Sequence, residues 1–95
     1  MQVGNILSCS WGFEQTNVDF YKVIAVSGSF VTVIQLMSET IESKPDYTGL
    51  VMPLVDCEIG SKIRRKINSR GDIKMTDYSW AKLWDGKPEH ITSYA

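Results

Sequence analysis

Residues 20–37 read FYKVIAVSGSFVTVIQLM, and this stretch decides the fold. Phe20–Val26 and Phe30–Met37 are rich in aromatic and β-branched side chains, which favour β-strands. The sequence Ser27-Gly28-Ser29 between them is typical of a tight turn. The stretch therefore predicts two antiparallel strands joined as a β-hairpin.

Short apolar segments on both sides of this hairpin predict further strands. They are Ile6–Trp11, Leu50–Val55, Lys62–Ile67 and Ile73–Thr76. Pro53 indicates an edge or a bulge, because proline cannot donate a ladder hydrogen bond. The turn sequence Asn68-Ser69-Arg70-Gly71 predicts that Ile73–Thr76 pairs back onto the strand before it.

Two segments lack a clear strand pattern. Residues 38–48 (SETIESKPDYT) are polar and contain Pro45, so we expect a surface loop. In the tail, Asp77 is placed to cap a helix whose end would be Gly86. We favour a short helical turn or an irregular aromatic segment there, although Trp80 and Trp84 also alternate as they would in a strand.

These elements predict a mainly β fold, a small SH3-like curled barrel of five or six short strands with at most one short helix. The 95 residues correspond to a single domain, 1–95. A globule of this length has a radius of gyration of roughly 12 Å. The longest apolar runs, such as Val23–Val26, are too short to span a bilayer, and MQVGNILSCS does not resemble a secretion signal. We therefore expect a cytoplasmic protein that does not bind membranes.

The residue inventory argues against an enzyme. The chain has two cysteines, Cys9 and Cys57, one histidine, His90, and no C-x-x-C pair, so we expect no metal site. No spacing suggests a thiol–histidine pair, and the glycines are isolated rather than grouped in a phosphate-binding loop. We predict no catalytic residues and no cofactor.

The segment Ser10–Tyr21 (SWGFEQTNVDFY) is the most distinctive in the chain, because aromatic side chains surround a polar loop. Such a segment suits base stacking or a protein-binding hot spot. The structural alternative is that Trp11 and Phe20 belong to the core and the polar residues only shape the loop. The candidate binding residues here are Trp11, Glu14, Gln15, Asn17, Asp19 and Tyr21.

Basic residues and aromatic rings are interleaved towards the carboxyl end. Residues 59–95 carry eight basic groups against four acidic ones, a balance of +4, whereas residues 1–58 have a balance of −5. Grooves that bind single-stranded nucleic acid typically combine cations, which bind phosphates, with aromatic rings, which stack on bases. The alternatives are tryptophans that plug one end of the barrel and a charged edge that is merely solvated. The candidate binding residues here are Lys62, Arg64, Arg65, Lys66, Lys74, Tyr78, Trp80, Lys82 and Trp84.

Two motifs resemble a family of small, mostly uncharacterised proteins encoded by bacteriophages and other mobile elements. The family pattern S-W-G-(Y/F)-(D/E)-Q-T-N-V-D-F-Y is present from Ser10 to Tyr21. A later W-x-W-D-G-K-P-like segment corresponds to Ser79-Trp80 and Leu83–Pro88, with Leu83 departing from the aromatic pattern. The resemblance implies a phage or prophage origin and a location in the cytoplasm of a bacterial host, but it implies no activity.

We therefore predict a non-catalytic, phage-encoded protein that binds nucleic acid through a basic–aromatic surface. The alternative is an inhibitor or accessory protein that docks on a host protein through the acidic half and the Trp11–Tyr21 loop, as a nucleic-acid mimic would. A homodimer through an exposed strand edge is a further expectation.

Overall fold

A computed structural model describes residues 1–12, 15–45 and 48–92. Every secondary-structure element in these ranges is a β-strand. The strands are β1 (Ile6–Trp11), β2 (Asn17–Ser27), β3 (Phe30–Ser43), β4 (Thr48–Lys66), β5 (Ile73–Thr76), β6 (Ser79–Leu83) and β7 (Glu89–Thr92). They form one antiparallel sheet in the order β5-β6-β1-β2-β3-β4-β7. The mainly β fold is confirmed; the described residues contain seven strands and no helix, and the sheet is curled but not a closed barrel.

The central hairpin is confirmed. β2 pairs with β3 from Ser27 opposite Phe30 to Phe20 opposite Leu36, with one register shift between Val23 and Ala25. Gly28 has φ 59°, a left-handed conformation that costs glycine little, so the chain reverses tightly there.

The surface loop predicted over residues 38–48 is wrong for most of its length. Residues 38–43 continue β3 and pair with Gly49–Pro53 of β4, and Thr48 opens β4. Asp46 and Tyr47 lie outside the described residues. Polar side chains are compatible with a strand here because the backbone supplies the pairing and residues 38–43 are all exposed.

Pro53 does mark a bulge. The β4 segment from Pro53 to Glu58 lies opposite a shorter segment of β3, from Leu36 to Ser38. The extra β4 residues protrude, and Val55 and Cys57 are exposed there. The bulge is where β4 bends between its two halves.

The helical turn predicted in the tail is wrong. Residues 79–83 form β6, which pairs with β1 on one side and with β5 on the other. Asp77 lies in the turn between β5 and β6 and caps no helix. Ser79 and Ala81 are buried while Trp80 and Lys82 are exposed. This alternation of buried and exposed side chains every second residue is that of a β-strand.

Two apolar clusters lie on opposite faces of the sheet, since Phe20 and Tyr21 are neighbours in β2 and belong to different clusters. The inner-face cluster contains Leu7, Cys9, Tyr21, Val23, Val31, Val33, Ile73 and Ala81. The outer-face cluster contains Val18, Phe20, Leu36 and Val51, with Trp84 and Ile91 packed against it.

The sheet curls over its inner face until β4 reaches β5. Ile67, just after β4, forms an isolated antiparallel bridge with Ile73 of β5, which we call the seam. Apart from this bridge, β5 pairs with β6 rather than with residues 62–67. The radius of gyration is 13.5 Å and the extents are 45 × 28 × 23 Å, because the β3–β4 hairpin extends past β2. In the part of the chain that the structure describes, no helix is long and apolar enough to cross a membrane.

Candidate functional site

A cleft of about 410 Å³ opens on the inner face, where β4 and β5 separate beyond the seam. Its apolar walls are Trp11, Ile63 and Met75. Its polar lining consists of Cys9, Asp19, Tyr21, Arg65, Thr76 and Ser79. The volume lies within the range of roughly 300–1,000 Å³ that is typical of small-molecule sites.

Asp19 and Trp11 form the best-defined contact in the cleft. Trp11 Nε1 donates a hydrogen bond of 2.9 Å to Asp19 Oδ2. The pairing of β1 with β2 positions both side chains, because Cys9 lies opposite Asp19 and Trp11 opposite Asn17. Burial raises the pKa of Asp19 above its usual range, and the bond from Trp11 opposes this shift.

The hydroxyl of Tyr21 is influenced by charges on both the acidic and the basic side of the cleft. The pKa of this hydroxyl is raised to about 12, mainly by burial and also by the charges of Asp19 and Cys9, while the charge of Arg65 lowers it. Arg65 Nη1 donates a hydrogen bond of 3.0 Å to the carbonyl of Arg64. Among the described residues no salt bridge joins Asp19 to Arg65, so a carboxylate and a guanidinium face one cleft without neutralising each other.

Hydroxyl groups and a thiol complete the lining. Thr76 Oγ1 and Ser79 Oγ are 2.7 Å apart and share a hydrogen bond. Burial raises the pKa of the Cys9 thiol, which disfavours the nucleophilic thiolate. His90 lies on β7 opposite Leu50 and does not line the cleft. The lining is suited to hydrogen bonding of a polar ligand.

Two exposed aromatic rings lie at the cleft and at the concavity beside it. Trp11 is 47% exposed and Tyr78, in the turn between β5 and β6, is 94% exposed. A second, larger concavity of about 680 Å³ adjoins the cleft and shares Trp11, Thr76 and Ser79 with it. Tyr78 and Gly12 complete the lining of that concavity. A flat ligand could therefore contact a ring as it enters the cleft.

The outer face beside the cleft is basic. Lys62, Arg64 and Lys66 alternate with inward-facing residues of β4 and are exposed. The seam brings the end of β4 beside β5, and Lys74 of β5 points to the same outer face. We call the following set the basic–aromatic surface: Lys62, Arg64, Lys66, Lys74, Lys82, Phe30 and Trp80.

Each ring of the basic–aromatic surface is in contact with a cation. Arg64 lies 4.3 Å from the ring centroid of Phe30, and Lys74 Nζ lies 5.9 Å from that of Trp80. Lys74 also forms a salt bridge of 3.3 Å with the exposed carboxylate of Asp77. Trp80 is 43% exposed, so both the ring and the neighbouring cations remain available to a ligand.

The acidic residues concentrate elsewhere, on the β3–β4 hairpin and its bulge. Glu39, Glu42, Asp56 and Glu58 are all exposed there. Glu42 pairs with Lys44 at 3.8 Å and Glu58 pairs with Lys22 at 3.1 Å. In the described ranges no salt bridge joins residues 1–58 to residues 59–95, so the charge asymmetry of the sequence is retained in the fold.

The structure brings most of the candidate binding residues together in two groups. Trp11, Asp19, Tyr21 and Arg65 line the cleft, and Tyr78 borders the adjoining concavity. The basic–aromatic surface holds the lysines, Arg64 and Trp80.

Four candidates lie outside both groups. Trp84 packs in the outer-face cluster, with its ring 5.8 Å from that of Phe20 and its Nε1 bonded to the carbonyl of Lys87. Gln15 is exposed, and Asn17 Nδ2 is buried without a hydrogen-bond partner among the described residues. Glu14 lies outside the described residues.

Sequence reasoning missed several residues of the site. Phe30 was assigned only to a strand, and no local signal shows that Arg64, far along the chain, covers its ring. Cys9 is 2% exposed and packs in the inner-face cluster, but it also lines the cleft. Ile63, Met75, Thr76 and Ser79 reach the cleft only because the sheet curls. The alternation of Ile63 with charged neighbours was the one local signal that it faces inward.

Comparisons with known proteins add no further assignment to this site. The described residues contain no group of three or more histidine, cysteine, aspartate or glutamate side chains placed to hold a metal ion. No protein-family model, no curated protein and no solved structure matches the chain.

Proposed function

We propose that this protein is a non-catalytic binding protein for single-stranded nucleic acid. The observation that carries the proposal is the basic–aromatic surface, where five cations and two exposed rings share the outer face beside the seam. A phage or prophage origin belongs to the same proposal and rests on the sequence motifs alone.

The two kinds of side chain address different parts of a nucleic acid. Lysine and arginine side chains neutralise phosphates and release counterions, which makes binding strongly dependent on salt. Exposed rings stack on bases, and each stacked base contributes about 1–3 kcal/mol. Trp80 is accessible for stacking, Phe30 is exposed but has Arg64 over its ring, and Trp84 is held in the outer-face cluster.

Removing cations from the surface tests the proposal. We expect Lys66→Gln and Lys74→Gln each to weaken binding of an oligothymidylate strand and to reduce the slope of log K against log salt by about 0.7. Fluorescence anisotropy at a series of salt concentrations measures both effects. Lys44→Gln is the matched control, because it removes the same charge from the acidic hairpin.

A binding constant that does not change with salt, or that Lys44→Gln lowers as much as Lys66→Gln does, would contradict the proposal. Docking on a host protein through the acidic residues stays a prediction, as does a homodimer through an exposed edge. β7 is one such edge in the strand order.

A further inference from the structure

We propose that the cleft binds an unpaired guanine base of the strand held by the basic–aromatic surface. This inference rests on the proposed function and adds the base that the protein selects. It follows from the chemistry of Asp19 and Arg65, which face the same cleft.

The carboxylate of Asp19 is prepared to accept hydrogen bonds from a ligand. Its Oδ2 atom is oriented by Trp11 Nε1 at 2.9 Å. Its Oδ1 atom accepts no hydrogen bond from the residues that the structure describes. The Watson–Crick edge of guanine carries two adjacent donors, N1–H and the 2-amino group, which suit one carboxylate.

Arg65 supplies the opposite chemistry. One guanidinium nitrogen is used in the bond to the Arg64 carbonyl, and the remaining N–H groups can reach into the cleft. Guanine offers the acceptors O6 and N7, to which arginine is the commonest specific partner. The cleft thus presents an acceptor and a donor group, as guanine recognition requires.

The other bases do not offer two adjacent donors to the carboxylate. Adenine has an acceptor, N1, where guanine has a donor, so its edge would place a lone pair against the Asp19 carboxylate. Thymine and uracil carry one N–H between two carbonyl oxygens, and these oxygens would also face the carboxylate. Cytosine has one donor group beside two acceptors. Each of these bases therefore gives the carboxylate only one donor with an acceptor beside it, and the second hydrogen bond is replaced by repulsion between lone pairs.

The location of the cleft fits a base that turns away from its own strand. Arg64 and Arg65 are neighbours on β4 and point to opposite faces, so phosphates bound outside lie close to the opening inside. The opening lies between Arg65 of β4 and Thr76 of β5, where the strands have separated beyond the seam. Ile63 and Met75 supply apolar walls for the faces of the base.

Oligothymidylate strands with one central substitution test this inference. We expect a strand with a single guanine to bind about tenfold more tightly than the same strand with adenine, cytosine or thymine at that position. Asp19→Asn should abolish this preference, so that the four strands bind with equal affinity, and a circular dichroism spectrum equal to that of the wild type shows that the variant folds. Asp77→Asn is the matched control, because Asp77 carries the same group outside the cleft; it should retain the preference.

The outcomes separate the inference from the proposed function. If the wild type binds all four strands equally, or Asp19→Asn keeps the preference, the guanine assignment is overturned while nucleic-acid binding stands. If no strand binds at low salt, the proposed function fails and the guanine assignment fails with it.

Discussion

The carboxylate of Asp19 is half-buried on β2. Trp11 donates a hydrogen bond to it, and its charge raises the pKa of Tyr21. A charged group in such a position loses solvation, and one hydrogen bond restores only part of it. Asp19 therefore favours its protonated form more than an aspartate in the unfolded chain does. This property can be measured as a dependence of stability on pH.

We expect the wild type to lose stability relative to Asp19→Asn as the pH rises from about 3 to 7. The raised pKa of Asp19 means that the folded protein holds the proton more tightly than the unfolded chain. Between the two pKa values the folded state binds more protons, so its free energy of unfolding falls with increasing pH. Urea denaturation of both proteins at several pH values measures the difference.

Asp56→Asn is the control for this comparison, since Asp56 is an exposed aspartate on the β4 bulge. A wild type that gains stability over Asp19→Asn as the pH rises would show that the bond from Trp11 outweighs burial. The sequence marked Asp19 as a candidate because it lies in a segment of aromatic and polar residues. The sequence did not show that Arg65 would share its cleft, because that proximity depends on the curl of the whole sheet.

β6 contains one of the two late tryptophans and ends just before the other, and the structure separates their roles. Trp80 is on the exposed side of the strand, under Lys74. Trp84 follows the strand and closes the outer-face cluster against Phe20, which is fully buried. The sequence left open whether this segment belongs to the core or to a binding surface. In the structure Trp84 belongs to the core and Trp80 to the surface.

We expect Trp84→Ala to lower the free energy of unfolding by about 3 kcal/mol, because it removes a large ring from an apolar cluster. Trp80→Ala should lower it by less, by about 1 kcal/mol, because Trp80 lies on the exposed side of β6 and outside both apolar clusters. Denaturation in urea measures both values. In the anisotropy assay the order reverses, and Trp80→Ala weakens oligonucleotide binding more than Trp84→Ala. Equal losses of stability in the two variants would contradict this division.

The elements that could be predicted from sequence are those in which composition and period agree. Phe20–Val26 and Phe30–Met37 are apolar and β-branched, and both are strands. Residues 38–43 and 79–83 were misassigned because their polar or aromatic composition suggested a loop or a helix. Pairing with β4 in the first case, and with β1 and β5 in the second, decided the outcome, and the composition of a segment does not show which strands it pairs with.

At the scale of the whole molecule, the fold preserves the charge asymmetry of the sequence. The acidic side chains Glu39, Glu42, Asp56 and Glu58 lie on the β3–β4 hairpin and its bulge, and the basic–aromatic surface lies by the seam. A small barrel with interleaved halves would have mixed these charges. The hairpin instead extends past β2, which no local pattern in residues 38–48 indicates.

The seam has a kinetic consequence for the molecule. β5 is joined to β4 by a single isolated bridge, whereas β2 has a full ladder on each side. Local opening should therefore begin at the seam, and backbone amides of β5 should exchange with deuterium earlier than those of β2. Hydrogen–deuterium exchange followed by mass spectrometry resolves the two segments, and equal protection would contradict this order. Because the seam borders the cleft, its opening should widen the cleft, and the binding of a base that we propose there should be coupled to the separation of one pair of strands.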